Sequence, residues 1–184
     1  MLLLAALLTA VLGACSASKD QTTQTQISKT IKAADGSVSI DVPDNWSEDA
    51  TVVPERYLVL ALTDGSSAFS QIFYYPNDES GYTAKDYCDM TAGDYYKDNV
   101  IGEVKETKIN DHDAFHFEYS MVDEGVDGNE YNYHGYEYFI DFNGNVVEVD
   151  IFYSQSKLEG KLFTPSEEQL ALLRSIAETA RANA

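Results

Sequence analysis

Cysteine is nearly absent: Cys15 and Cys88 are the only two in 184 residues, so no disulfide framework, no CxxC pair and no thiol-based zinc site is available. Basic residues are scarce too, with 12 Lys and Arg against 31 Asp and Glu, for a formal charge of −19 at pH 7. A field of that sign repels nucleic-acid phosphates and anionic headgroups, which sets aside DNA, RNA and direct headgroup docking. There is no Gly-x-Ser-x-Gly elbow, no phosphate-cradling glycine loop and no His-Glu-x-x-His. His112 and His116 stand four apart, but the run His112 to Val122 alternates like a strand. Four residues of strand span roughly 13 Å, too far to share a metal. A membrane-spanning stretch is missing as well: Leu2 to Ala14 is uncharged and apolar or small, but shorter than the roughly 17 residues a spanning helix needs.

What that stretch does have is the length of a secretory h-region. It ends in Leu12-Gly13-Ala14-Cys15, which resembles the bacterial lipobox, where a small residue precedes a cysteine that is lipidated and becomes the mature N-terminus. The basic n-region of a signal peptide is missing, because Met1 is followed directly by leucines. The polar run from Ser16 to Gln26 has nothing that could pack and reads as a tether. The expected division is a lipoprotein signal peptide over 1–14, lipidated Cys15 and its tether over 15–26, and one domain over 27–184. This places the protein on the extracytoplasmic face of the cell membrane, held by palmitate-type chains. Lipidation consumes the Cys15 thiol and leaves Cys88 alone.

Within the domain, Ser37 to Val42 alternates at period two and ends in the turn Pro43-Asp44-Asn45, followed by Trp46. Strands are expected over Arg56 to Thr63 and Ala68 to Tyr75, joined at Asp64-Gly65-Ser66-Ser67. From Thr83 to about Asn99 the period becomes helical. Thr83 and Asp86 fit an N-cap and its N3 acid, and Ala84, Tyr87, Cys88, Thr91 and Tyr95 share one face, so Cys88 reads as a buried, inert thiol. Four strands follow, Glu103 to Ile109, Asp113 to Val122, Tyr131 to Phe142 and Asn145 to Tyr153. Their joins at Asn110-Asp111, the acidic loop Asp123 to Glu130, and Asn143-Gly144 make an antiparallel meander. A last helix is announced by Thr164-Pro165-Ser166-Glu167, read as N-cap, N1 proline and capping-box acid. Its stripe is Leu170, Leu173, Ile176, Ala177 and Ala180.

The stretch from Tyr131 to Phe142 carries the most information. Its tyrosines change parity at Gly135, and a bulge there would return Tyr131, Tyr133, Tyr136, Tyr138, Ile140 and Phe142 to one face, opposite Asn132, His134, Glu137 and Asp141. Phe115 to Met121 and Val147 to Tyr153 alternate in the same way and are expected to share that face. Two readings stay open for the row, core under a helix or recognition surface. The Ile140 and Phe142 end fits core. The Tyr131 and Tyr133 end, beside Asp123, Glu124, Asp127 and Glu130, fits a binding surface, because tyrosine offers contact area and a hydroxyl at low entropy cost. The acidic loop fails the EF-hand template, with Gly125 at its third position and His134 at its twelfth.

From Gly36-Ser37-Val38-Ser39-Ile40-Asp41-Val42-Pro43-Asp44-Asn45-Trp46, through the hairpin, helix and meander, to the helix around Leu172-Leu173-Arg174-Ser175-Ile176, the chain resembles the PsbP-like family. The resemblance implies an α+β fold: an antiparallel sheet of about six to seven strands with two helices packed on it, as an α/β/α sandwich. It also implies a protein that binds partners rather than one that catalyses. From the missing motifs and ligand spacings, no cofactor and no metal are expected. The photosystem members of that family dock partly through basic residues, and this chain is acidic, so no binding residue carries over. The expected function is a non-catalytic lipoprotein module for a basic protein or glycan-associated partner. An envelope hydrolase and a calcium-stabilised surface protein are the alternatives.

Overall fold

The computed structural model describes residues 26–77, 81–124, 128–156 and 163–183. The expected leader, Cys15, most of the tether and Asp127 lie outside them. Within them are β1 (Ile27–Lys32), β2 (Val38–Pro43), β3 (Ser47–Glu48), β4 (Leu58–Thr63), β5 (Ala68–Tyr75), α1 (Ala84–Met90), β6 (Val100–Ile109), β7 (His112–Glu124), β8 (Glu130–Phe142), β9 (Asn145–Ser156), α2 (Glu167–Ala177) and β10 (Arg181–Ala182). Seven strands form one sheet in the order β3-β4-β5-β9-β8-β7-β6, and three form a second, β1-β2-β10. Every pairing is antiparallel. The expected α+β sheet-and-helix fold is present. The strand over Ser37 to Val42, however, belongs to the small sheet, and it is flanked by two strands, β1 and β10, that carry too little apolar periodicity to read in advance.

The meander forms because its turns supply the backbone that two-residue hairpins need. Asn110 and Asp111 have φ of 51° and 68°, and Asn143 and Gly144 have 58° and 92°, the left-handed region a type I′ turn requires. The two helices then cover opposite faces of the large sheet. Leu170, Leu173, Ile176 and Ala177 of α2 pack with β2 against Tyr138, Ile140, Val147, Val149 and Ile151. Ala84 and Cys88 of α1 pack against Phe117, Tyr119, Phe139 and Val146. Leu173 and Ile176 are fully buried, and each contributes roughly 2 kcal/mol in area removed from water. β10 is tied to β2 in the small sheet, where the two terminal guanidinium nitrogens of Arg181 donate to the Asp41 carboxylate at 2.7 and 3.0 Å.

Both helix starts are capping boxes, one where expected and one shifted. Thr83 and Asp86 cap α1 reciprocally. At α2 the cap is Ser166 with Gln169 at N3, two residues beyond the expected Thr164, because the Ser166 side chain reaches the Gln169 N–H and Gln169 returns the bond. α1 also ends early. Thr91–Tyr95 is a π-helical turn, closed by the Tyr96 N–H on the Thr91 carbonyl at 3.0 Å. The wider turn sends Tyr95 into solvent, 71% exposed, and brings Tyr96 onto the core in its place.

A candidate binding surface and the acids beside it

β8 runs in unbroken register with both neighbours, Tyr119 opposite Gly135 on one side and Phe152 opposite Gly135 on the other. There is no bulge. The expected single face of tyrosines is therefore wrong: Tyr136, Tyr138, Ile140 and Phe142 face α2, while Tyr131, Tyr133, Glu137 and Phe139 face α1. The rows Phe115 to Met121 and Val147 to Tyr153 likewise lie on opposite faces. Gly135 serves close approach rather than an extra residue, since a β-carbon there would stand 2.1 Å from the Ile151 carbonyl oxygen.

On the α1 side, the sheet extends beyond the helix. Phe69 of β5 stacks on Phe152 of β9 at 5.9 Å, Tyr133 of β8 meets Phe152 edge-on at 5.7 Å, and Tyr131 follows at 6.4 Å. All four rings are half-buried. The strand register explains the row, because Phe69 lies opposite Phe152 and the β8 tyrosines continue the line one strand over. Asp123 sits opposite Tyr131 and Glu124 opposite Glu130, with all three acids exposed. The structure thus places Tyr131, Tyr133 and Asp123 on one face together with Phe69 and Phe152, which lie far off in the chain, while Glu124 and Glu130 pair beside them and by the same alternation belong to the opposite face. Ile140 and Phe142 are core.

Next to this row, under α1, lies a group of acids that strand alternation disguised as a solvated face. Glu137 is 2% exposed and within hydrogen-bonding reach of Glu148 and Asp150. Three tyrosines from three other elements donate to the group: Tyr75 to Glu148 at 2.8 Å, Tyr119 to Asp150 at 2.7 Å, and Tyr96 to Glu137 at 3.4 Å. Burial pushes the Asp150 carboxyl up to about 7, with the bond from Tyr119 pulling the other way. Glu137 is raised by burial and by its two acidic neighbours, and Glu148 by burial. With lone pairs shared among acids and phenols, the group forms a polar strut. Among the described residues, no group of three or more His, Cys, Asp or Glu is placed to hold a metal ion. Cys88 is fully buried nearby, its thiol pushed up to about 12 by that burial.

The α2 side carries a second polar network. His134 Nε2 lies 2.9 Å from Glu118 Oε1, Tyr136 donates to Glu118 Oε2 at 3.2 Å, and Arg174 donates to the Tyr136 hydroxyl at 2.9 Å. His112 and His116, which strand spacing keeps from sharing a metal, lie on this face against Phe142 and Tyr138, at ring separations of 4.4 and 4.6 Å. A cleft of about 860 Å³ opens at the start of α2, lined by Trp46, Asp64, Tyr153, Glu168 and Gln169 and reaching Gln26.

No protein-family model and no curated protein matches the sequence. Solved structures do match in shape. The solution structure of the cyanobacterial PsbP protein CyanoP from Synechocystis sp. PCC 6803 aligns with a TM-score of 0.50 at 13% identity, over 94% of this chain and 99% of that one. The crystal structure of the Ran-binding protein Mog1p of Saccharomyces cerevisiae aligns with a TM-score of 0.53 at 12% identity, over 83% of this chain and 94% of that one. At such identities the likeness is one of fold, and it extends over nearly the whole of each protein. With two helices on opposite faces of an antiparallel sheet and the same overall path as CyanoP, this chain has the PsbP-like fold.

Proposed function

We propose that the protein is a non-catalytic binding module, tethered by a lipid on Cys15 to the extracytoplasmic face of the cell membrane, whose partner presents a basic polypeptide surface to the row Phe69, Phe152, Tyr133 and Tyr131. The observation that carries this reading is the row itself: four rings from three strands, half-buried, with exposed Asp123 opposite Tyr131 on the same face and exposed Glu124 and Glu130 at the strand ends behind it. Aromatic faces and carboxylates side by side match lysine and arginine, whose stems lie on rings and whose heads meet the acids. The formal charge of −19 favours such a partner at long range. A Ran-binding protein among the matched structures supports a binding role for this fold. A tether of about a dozen residues spans on the order of 20 Å, so the partner lies close to the membrane.

The test is capture of a lysine- and arginine-rich peptide by the intact protein. Binding is expected to weaken as salt rises toward 0.5 M, since exposed charges are screened beyond about 10 Å even at 0.1 M. Tyr131→Ala with Tyr133→Ala is expected to weaken it by about tenfold or more while leaving the fold intact, as both rings are only half-buried. Unaltered capture by the folded double variant would remove the row from the interface.

A further inference from the structure

On the opposite face, Tyr138 of β8 and His116 of β7 form a parallel ring stack, 4.6 Å between centroids and 6° between planes. Tyr138 has no exposed surface, yet its hydroxyl has no hydrogen-bond partner among the described residues, and neither has the buried Nδ1 of His116 beside it. An orphaned buried polar group costs about 1–3 kcal/mol, so two on adjacent stacked rings call for a common explanation. Two cations stand next to them. Lys105 is the register partner of His116 across β6 and β7, and Arg174 of α2 holds the hydroxyl of Tyr136, whose ring lies 6.2 Å from that of Tyr138. Neither cation has a carboxylate partner among the described residues, in a chain where acids outnumber bases 31 to 12. The nearby acids do not fill that role: Glu118 is engaged by His134 and Tyr136, and Glu178, beyond the end of α2, acts on Tyr138 through its field alone.

We propose that this niche holds a small phosphate-like oxyanion, with the Tyr138 hydroxyl and the His116 Nδ1–H as neutral donors and Lys105 and Arg174 as its counter-charges. Burial and the two neighbouring cations hold His116 below its ordinary pKa, so at neutral pH it has one N–H to give and its tautomer is free to place that proton on Nδ1. Four donors from β6, β7, β8 and α2 then surround one anion. Binding there joins α2 to the sheet on the side away from the aromatic row.

The full-length protein is titrated with inorganic phosphate at ionic strength held constant with sodium chloride, following the His116 and Tyr138 ring signals by NMR. Saturable shifts of both rings are expected, with a rise in melting temperature. Tyr138→Phe removes only an unpartnered hydroxyl, so it folds, and Lys105→Gln removes an exposed-edge charge. Each is expected to weaken phosphate binding by about tenfold, the loss of one charge-assisted bond. No saturable shift, or phosphate bound by Tyr138→Phe as tightly as by the unaltered chain, overturns the proposal. So does a melting temperature that falls in Tyr138→Phe without any dependence on phosphate, the signature of a trapped water bridging the two rings.

Discussion

Tyr119 on β7 donates its hydroxyl to Asp150 on β9 at 2.7 Å, reaching across the whole width of β8 at Gly135. The bond joins strands that are not neighbours, and it is possible because the residue between them has no side chain. One residue choice therefore sets both the tight approach of β8 to β9 and the closure of the buried acid group.

Gly135→Ala is expected to be among the most damaging single substitutions in the sheet. The added carbon meets backbone at 2.1 Å, which cannot be relieved by turning a side chain. A loss of about 3 kcal/mol, the upper end of overpacking costs, should appear as a lower urea midpoint. A loss below about 0.5 kcal/mol, within the range of neutral surface changes, would mean that β8 and β9 can part without cost.

Stability should fall as pH rises through neutrality. Asp150 is pushed up to about 7 by burial, from an ordinary 3.8, and Glu148 and Glu137 are raised as well. An acid with a higher pKa folded than unfolded contributes fully below its unfolded value, and that contribution drains away as pH passes the folded value. Asp41 behaves oppositely: its bond from Arg181 lowers it, so its contribution is lost only in strong acid. Between about pH 5 and pH 8 the expected decline is on the order of 2 kcal/mol, and Glu137→Gln should flatten it. Urea midpoints across this range decide the matter, and a midpoint that climbs with pH would contradict the strut.

Anchoring is expected to rest on Cys15 alone. Palmitate incorporation should vanish in Cys15→Ala and persist in Cys88→Ser, whose thiol is buried and held protonated. Chains at about 0.8 kcal/mol per buried CH₂ anchor stably when two or more are attached. Label retained by Cys15→Ala would place the lipid elsewhere.

Much of the fold was written locally. The type I′ turns at Asn110-Asp111 and Asn143-Gly144, the Thr83 capping box, the apolar stripe of α2 and the alternation of β5, β7, β8 and β9 each depend on residues within a few positions of one another. Short-range sterics and periodicity therefore state them without reference to the rest of the chain. Composition likewise set the acidic field, and helical periodicity put Cys88 on the buried face of α1.

Tertiary structure decided what depends on distant partners. Gly135 could signal a bulge or a close approach, and only the facing backbone of Ile151 chose between them, reassigning every tyrosine of β8 to its face. Glu137, Glu148 and Asp150 alternate as solvated residues do, and became a buried to half-buried group because α1 and three tyrosines from β5, the π-helical turn's end and β7 close over them. Tyr96 replaced Tyr95 in the core because a π-helical turn changed the helical phase. Phe69 and Phe152 joined Tyr133 through strand order, a property of the sheet that no local pattern encodes. Periodicity tells which residues share a face of one strand; which strands lie side by side, and what covers them, is settled by the packing of the whole chain.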